Sequence, residues 1–316
     1  MLSEFKHCYK RCEFSAGFTV LHGLEWLAVR WFHSVADMVE TQSEGTSKMK
    51  VGTILLGWND AKLLPRVLRS LIDQTHPHKI IYVDDGSTDD SVEIVRSFGI
   101  TDIIVLKRKK RTYGGFPILA ENVNAGLSKI KEISGFDFFM VMPSDVTLEK
   151  QYLEKLMSRF DDDKLVIGSG VIRGEYNVES VPRGAGRVIR LSFWNKYIKW
   201  FPDGFLWESY AVHKAQSLGF KTRSFNDIHM TVLRPTRQYK PLYGYAMKEL
   251  GYSKPYAYAR CLKAFLHQPK IGIRIFRAYN SQLQPFDNEL SAWIKEYQIH
   301  HLLSLIRNPI KLLERF

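Results

Sequence analysis

The chain has 316 residues, of which 45% are hydrophobic and 13% aromatic, a composition that predicts a folded protein of one or two domains and excludes wholesale disorder. Lysine and arginine number 45 against 33 aspartates and glutamates, so the formal net charge is +12. This charge favours an anionic partner, such as a phosphorylated substrate, nucleic acid or membrane surface, without choosing among them. Three cysteines without a CxxC pair exclude a disulfide scaffold and argue against a structural zinc site.

Residues 1–48 form a leader that differs in character from the residues after it. Apolar side chains recur every three to four residues between Phe18 and Met38, which predicts an amphipathic helix, and the polar tract 41–48 is typical of a linker. Charged residues interrupt the apolar stretch, so it predicts neither a membrane-spanning helix nor a signal peptide. We therefore expect a cytoplasmic protein, with either a native leader or translation that begins at Met49.

Residues 49–235 alternate short apolar runs with amphipathic stretches. This alternation is typical of β-α-β units and predicts an α/β fold with a mostly parallel, Rossmann-like sheet flanked by helices. In chain order, the predicted strands are 51–56, 80–83, 102–106 and 138–142. The predicted helices are 63–74, 91–97 and 118–134, with a further helical stretch from 207 to 219.

Polar segments follow three of the predicted strands. They are Gly-Trp-Asn-Asp at 57–60, Asp-Asp-Gly-Ser at 84–87 and Pro-Ser-Asp at 143–145. Open parallel sheets bind ligands beyond the carboxyl ends of their strands. We therefore expect the three segments to meet at a ligand site on one edge of the sheet.

The candidate residues also have structural interpretations. Asp84 and Asp85 could cap the next helix, although two adjacent carboxylates exceed what capping requires, and a carboxylate here could accept the N3–H of uracil or another base. Asp145 could be a turn residue, or an oxygen ligand that holds Mg²⁺ or Mn²⁺ against a diphosphate. Glu208 could complement the dipole of its helix or act as a general base.

Five consecutive basic residues occupy positions 107–111. A solvated loop is the simplest interpretation, and a loop that faces phosphate is the next. Because no zinc finger, RNA-recognition signature or basic-region heptad accompanies the run, we expect no sequence-specific nucleic acid as a partner.

The motifs of the alternating region resemble those of family 2 glycosyltransferases, which have the GT-A fold. The VDDGSTD signature of that family is intact at 83–89. Residues 68–74, LRSLIDQ, are similar to its LxxSLxxQ helix, and residues 123–127, VNAGL, are similar to its LNAGL segment. Residues 208–219 resemble its late acidic element, so the resemblance covers residues 50 to about 235.

The resemblance implies transfer of a sugar, with inversion, from a nucleoside diphosphate donor to a hydroxyl or phosphate acceptor. The acceptor could be a sugar, a growing glycan or a lipid-linked molecule. By position in the motifs, Asp85 would recognise the nucleobase, Asp145 would bind Mg²⁺ or Mn²⁺, and Glu208 would be the catalytic base. The candidate donor-binding residues are Asn59, Asp60, Asp84, Asp85, Asn124, Ser144 and Arg234.

Two departures from the family pattern bear on the chemistry. The metal-binding DxD motif is Pro-Ser-Asp here, so its first carboxylate is missing and Asp145 matches only the last. Where related chains have Glu-Asp, this chain has Trp207 and Glu208. The proposed base is therefore matched by position rather than by identity, and Asp203 is a rival.

Two further candidates follow the late acidic element. His229 could complete the metal site, as a late histidine does in some GT-A enzymes, although a lone histidine is more often structural. Arg234 could bind the diphosphate with its forked guanidinium, or it could form a surface salt bridge.

Residues 236–316 predict a helical C-terminal extension interrupted by prolines. Apolar residues recur at three- to four-residue steps between Ile299 and Leu313, with basic residues among them. Such a helix could dock on the core, or it could lie in an anionic membrane interface. The second interpretation predicts a peripheral protein at the cytoplasmic face of a membrane.

Three alternative functions remain open at this point. A nucleotidyltransferase would share the β-α nucleotide-binding layout, but it would usually show a glycine-rich basic fingerprint after the first strand. A membrane- or nucleic-acid-binding module would account for the positive charge. A catalytically inactive relative would account for Pro143 in place of the first DxD carboxylate.

Overall fold

The computed structural model describes residues 49–107, 116–205, 207–234 and 242–307. Contacts between Cα atoms divide the chain after Lys48, and the described residues all lie in the second unit, Met49–Phe316. The predicted leader, the basic run beyond Lys107 and the end of the predicted C-terminal amphipathic stretch lie outside the described residues.

The described residues contain eight strands, all in one sheet. They are β1 (Val51–Gly57), β2 (His78–Asp84), β3 (Ile103–Val105), β4 (Phe138–Pro143), β5 (Val146–Leu148), β6 (Leu165–Ile172), β7 (Arg187–Arg190) and β8 (Lys221–Val232). The helices are α1 (Leu64–Ile72), α2 (Ser91–Ser97), α3 (Phe116–Ile133), α4 (Tyr152–Met157), α5 (Leu191–Tyr197), α6 (Trp207–Ser217), α7 (Tyr243–Glu249), α8 (Lys254–His267), α9 (Pro269–Tyr279) and α10 (Asn288–Arg307).

The strand order in the sheet is β3-β2-β1-β4-β7-β6-β8-β5. β1 pairs in parallel with β2 and β4, β2 with β3, and β6 with β8. β7 is antiparallel to both β4 and β6, and β5 is antiparallel to β8. The predicted mostly parallel α/β sheet is confirmed, and the predicted β-α-β elements up to β4 are present in the predicted order.

Helices cover both faces of the sheet, so its central strands are buried on both sides. Every residue of β1 is buried. Leu55 belongs to the core that α1, α2 and α4 complete, whereas its neighbour Ile54 belongs to the core that α3, α5 and α6 complete. This alternation follows from the two-residue period of a strand.

Helix α1 positions the loop that follows β1. Its buried residues are Leu64, Val67, Leu68 and Leu71, the spacing of one helical face. A proline stands in its first turn, where a missing N–H leaves no hydrogen bond unmade. The helix therefore packs firmly on the sheet and fixes where the preceding loop must end.

The C-terminal helices build small cores of their own. Met247, Cys261 and Ile275 join α7, α8 and α9, and Leu290 and Ile294 of α10 pack near the end of α7. The prolines at the starts of α8 and α9 lie in their first turns. Over the residues described, no helix combines the length and the apolar character needed to cross a membrane.

Candidate active site

The carboxyl ends of β1, β2 and β4 lie side by side at one edge of the sheet. In the parallel ladders, Gly57 is level with Asp84, and Leu56 is level with the last residue of β4. Beyond the strands, the Asp85 N–H donates to the Gly57 carbonyl and the Ser144 N–H donates to the Leu56 carbonyl, each over 2.9 Å. The three polar segments therefore meet at this edge, as the sequence predicted.

The loop after β1 is fastened to the turn after β2. The Asn59 N–H donates to Ser87 Oγ over 2.9 Å, and Asn59 Oδ1 accepts the Thr88 N–H over 2.8 Å. Asn59 has a φ of 51°, a left-handed conformation that asparagine tolerates better than most residues. The Asp60 N–H donates to Ser91 Oγ over 3.0 Å. These bonds hold the loop and the turn as one structure.

The carboxylate of Asp84 is fully buried and holds the turn that carries Asp85. It accepts the Ser87 N–H over 2.8 Å, the Ser87 hydroxyl over 2.5 Å and the Tyr82 hydroxyl over 3.1 Å. Burial, and then the charge of Asp84, raise the pKa of Tyr82, so this phenol stays protonated and can donate. Asp84 thus shapes the turn, and Asp85 follows it as a second buried carboxylate.

Asp60, Ser144 and Arg234 form a cluster at the same edge. The Asp60 carboxylate is buried and accepts the Trp58 N–H over 3.2 Å. Its other partners are the Ser144 hydroxyl and the Arg234 guanidinium, which comes from just beyond the end of β8. The Arg234 side chain is 49% exposed. A guanidinium held by a buried carboxylate keeps further N–H donors that can meet an anion.

Asp145 and His229 lie at opposite ends of the β5–β8 ladder. The Asp145 carbonyl accepts the Leu233 N–H over 2.7 Å, whereas the His229 carbonyl accepts the Glu149 N–H over 3.4 Å. At about 3.3 Å per residue, the intervening stretch of ladder separates the two by roughly 13 Å. The structure therefore brings Asp145 to the Arg234 end of the site and leaves His229 beside Glu149.

Glu208 lies in the first turn of α6, where the helix dipole favours a carboxylate. Its carboxylate occupies the space that a side chain at position 184 would fill, so the loop before β7 needs Gly184 there. Arg187, which is buried, donates to the Glu208 carbonyl over 2.7 Å and to the Arg183 carbonyl over 3.0 Å. Burial lowers the pKa of this guanidinium and the charge of Glu208 opposes that shift.

The β4–β7 ladder brings Glu208 to the same edge of the sheet as the strand ends. β7 is antiparallel to β4, and Val141 is paired with Arg187, the first residue of β7. Residues just before Arg187 therefore lie beyond the carboxyl end of β4, close to where Ser144 follows that strand. Because the Glu208 carboxylate lies against Gly184 in this loop, it is at the same edge of the sheet as the polar segments that follow β1, β2 and β4.

Asn124 is not among the residues joined at the strand ends. Its amide is fully buried in α3, where Nδ2 donates to the Phe201 carbonyl over 2.9 Å and Oδ1 accepts the Phe201 N–H over 3.0 Å. These two bonds anchor the start of the loop that leads to α6. The contacts give Asn124 a structural part in placing that loop.

The C-terminal helices hold the same loop from the other side. Glu249, at the end of α7, accepts the Phe205 N–H over 2.8 Å, and burial raises the pKa of its carboxyl group. The Phe286 ring and the Glu249 carboxylate fill the space beside Gly204, which excludes any side chain there. Asp203, the rival base, is exposed in this loop.

Arg187, Gly184 and Glu249 were missed by reasoning from the sequence. One weak local signal was present, because β7 is Arg-Val-Ile-Arg, and an arginine is rarely buried without partners. No comparable signal marked Glu249, whose partner lies 44 positions away.

Among the described residues, no group of three or more histidine, cysteine, aspartate or glutamate side chains could hold a metal ion.

Two solved structures are similar to this chain. A mannosyltransferase from Pyrobaculum calidifontis, in complex with GDP-Man and Mn²⁺, matches with a TM-score of 0.51 and 15% identity over 85% of this chain and 84% of that chain. TarS 1-349 from S. aureus, in complex with UDP-GlcNAc, matches with a TM-score of 0.49 and 17% identity over 73% of this chain and 72% of that one. At 15% identity the likeness to the mannosyltransferase concerns the fold alone, and it agrees with the predicted GT-A architecture.

A family comparison identifies the chain more directly. No curated protein matches it. The family described as Glycosyl transferase family 2 matches residues 54–217, which is 164 of the 316 residues and includes the strand-end segments and Glu208. The predicted resemblance is thereby confirmed: the chain is a glycosyltransferase and belongs to glycosyl transferase family 2.

Proposed function

We propose that the enzyme transfers a sugar from a nucleoside diphosphate donor to a hydroxyl or phosphate acceptor, with inversion at the anomeric carbon. One observation carries the proposal. The turn with the family signature, the Asp60–Arg234 pair and the loop that Glu208 covers all lie at the carboxyl edge of β1, β2 and β4. This is the edge where open α/β sheets bind their ligands.

The donor would bind across the ends of β1 and β2. Asp85 would accept a hydrogen bond from the nucleobase, and Asn59 and Asp60 would line the nucleoside pocket. Arg234 would donate to the diphosphate, since its guanidinium is anchored by Asp60 yet half exposed. Ser144 hydrogen-bonds to the same Asp60 carboxylate and would thus help to set the position of Arg234.

Asp145 would hold Mg²⁺ or Mn²⁺ at this edge. A single carboxylate fits the way Mg²⁺ is usually bound, by one or two protein carboxylates together with substrate phosphates and water. When bound, the ion would offset the charge that develops on the leaving diphosphate. His229 remains a separate candidate ligand, because the ladder keeps it away from Asp145.

Glu208 would act as the general base. The acceptor oxygen would form a bond to the anomeric carbon while the bond from that carbon to the diphosphate oxygen breaks, and the acceptor proton would pass to the Glu208 carboxylate. Glu208 lies in the first turn of α6, which fixes where its carboxylate begins. Arg187 would keep the base in place by fixing the backbone of Glu208.

A thermal-shift panel of UDP-, GDP-, ADP- and CMP-linked sugars, with and without Mn²⁺, tests the proposal. A donor at 100 times its dissociation constant should add about 2.7 kcal/mol of stability. NMR of the product formed from the stabilising donor should show an anomeric configuration opposite to that of the donor. Stabilisation by none of the donors, or a retained configuration, would contradict the proposal.

We also propose a peripheral location at the cytoplasmic face of a membrane, which would suit a lipid-linked acceptor. Its support is in α10, where Ile299 and Leu303 are exposed, while Leu290, Ile294 and Gln298 of the same helix are buried. Because Gln298 accepts the Ser253 N–H over 2.8 Å, the location is better tested by Ile299→Gln with Leu303→Gln than by truncation. The substituted protein should pellet less with anionic liposomes than the unchanged chain.

A further inference from the structure

Helices α8 and α9 form a hairpin of unusual charge. Residues 254–279 contain no aspartate or glutamate. Six lysines and arginines lie in the same stretch: Lys254, Arg260, Lys263, Lys270, Arg274 and Arg277. In a chain with 33 acidic residues, such a stretch is a local concentration of positive charge. None of its residues belongs to the strand-end cluster of Asp60, Ser144 and Arg234.

The two helices touch closely and share one outer surface. A side chain at Gly272 would lie 2.5 Å from the Cα atom of Phe265, so the backbones of α8 and α9 are in direct contact there. Near the other end of the hairpin, the rings of Tyr258 and Phe276 have centroids 5.2 Å apart. The outward-facing side chains of α8 and α9 therefore form one continuous surface.

Large apolar side chains cover this outer surface. Small and apolar residues such as Ala257, Cys261 and Ile275 face the protein core. The outward residues are between 37% and 67% exposed. They are Tyr258, Leu262, Phe265, Leu266, Ile273 and Phe276, which we call the hairpin surface. A contiguous group of this kind marks an interaction surface, whereas single exposed apolar residues need no explanation.

We propose that the hairpin surface binds an anionic lipid bilayer. Amphipathic helices with aromatic and aliphatic residues on one side and lysine and arginine beside them lie in the plane of such interfaces. Lys270, Arg274 and Arg277 are exposed on α9, and no acidic residue of the hairpin would oppose anionic headgroups. A second copy of the chain fits poorly, because face-to-face docking would oppose two sets of positive charges.

The hairpin is also tied to the loop before Glu208. α7 packs against α9, and Glu249 at the end of α7 accepts the Phe205 N–H. A bilayer bound at the hairpin surface would therefore lie against helices that are linked, through α7, to the loop before Glu208. The inference rests on the proposed membrane location and names the surface that binds there. It does not depend on the transfer reaction, because lipid binding is measured without donor or acceptor.

The test is flotation of the full chain with vesicles of phosphatidylcholine alone or of phosphatidylcholine with phosphatidylglycerol. The unchanged protein should bind the anionic vesicles and bind the neutral ones much more weakly. Arg274→Gln with Arg277→Gln should weaken anionic binding about 30-fold, from the usual contribution of two basic residues near such a surface. Leu262→Gln with Leu266→Gln should weaken it by at least about tenfold, because two exposed leucines no longer enter the interface.

A matched control is Ile72→Gln with Trp200→Gln, two residues of similar exposure, 50% and 53%, outside the hairpin. This control should bind as the unchanged chain does, and thermal melts should show that all three double-glutamine variants fold. Equal vesicle binding by the Leu262/Leu266 variant and the control would overturn the proposal. So would a lipid-free dimer that the same variant dissociates, which would assign the surface to a second copy. Donor binding is expected to be the same in all variants, so a failure here is distinct from a failure of the proposed transfer.

Discussion

The strand-end site and the C-terminal hairpin use their side chains in opposite ways. At the strand ends, polar groups such as Asp60, Asp84 and Asn124 are buried, and each has hydrogen-bond partners within the protein. On the hairpin, apolar groups such as Leu262 and Leu266 are exposed. Buried polar groups must be paired in the folded protein, which makes the first region rigid and preorganised. Exposed apolar groups gain their partners only on binding, so the second region is suited to a surface contact.

The largest expected effect would come from removing the proposed base, Glu208, beside the rigid region. Glu208→Gln should leave the fold and the donor affinity intact and lower kcat by roughly 10²- to 10⁴-fold, because the amide cannot take the acceptor proton. Single-turnover kinetics and donor titration together measure the two quantities. Asp203→Asn is the matched control, because Asp203 is an exposed carboxylate in the neighbouring loop. This variant should have the same kcat as the unchanged enzyme. The reverse pattern would make Asp203 the base.

Next in size are the effects of removing the two carboxylates proposed to bind the donor, Asp85 and Asp145, and these effects should differ in kind. Asp85→Ala and Asp145→Ala should each weaken binding of the full donor by about 10- to 100-fold, since each removes a charged partner. Titration with uridine alone, or with the nucleoside of whichever donor binds, separates them. Asp85→Ala should weaken the nucleoside, and Asp145→Ala should not. Normal donor binding by both variants would mean that the site lies elsewhere.

The Asn124→Ala variant tests whether this buried polar side chain stabilises the fold or binds the donor. The variant leaves the N–H and carbonyl of Phe201 without their partners. Each such buried group costs about 1 to 3 kcal/mol, so urea unfolding should show a loss of roughly 2 to 4 kcal/mol. Donor affinity per folded molecule should stay close to normal. A stable variant with weak donor binding would restore the donor-binding role that the family resemblance implies.

The smallest effect concerns Glu249, where the two regions meet. Burial raises its pKa in the folded state above the ordinary value of 4.5, so the charged carboxylate destabilises the fold relative to the protonated one. The stability gained from protonation is fully present below 4.5 and is lost as pH rises through the raised value. Glu249→Gln still offers an oxygen to the Phe205 N–H, and it should therefore raise the melting temperature slightly at pH 7.

That small gain should shrink as pH falls towards 4, because the Glu249 carboxyl group of the unchanged protein is then mostly protonated in both the folded and the unfolded state. Melting temperatures of the two proteins, measured side by side from pH 4 to pH 8, give the difference directly and cancel the titration of the other groups. A difference that does not vary with pH would show that Glu249 does not titrate in this way.

The sequence by itself determined the architecture of residues 51–143 and the edge of the sheet where the candidate site lies. The alternating periods of β1 to β4 and their helices specify a parallel sheet, because each segment can bury its apolar face only in that arrangement. The carboxyl ends of the strands lie at one edge of any such sheet. Because the signature at 83–89 directly follows β2, its position at that edge could be predicted from the sequence alone.

Only the tertiary structure decided which side chains meet across long stretches of chain. Arg234 reaches Asp60 across 174 positions, and Glu249 reaches Phe205 across 44. His229 is kept from Asp145 by the register of an antiparallel ladder between β5 and β8. A local pattern specifies the period of a strand, but its partner and register depend on how all the elements pack together. For the same reason, the exposed face of the α8–α9 hairpin emerged only once the packing of the core had shown which apolar residues remain outside it.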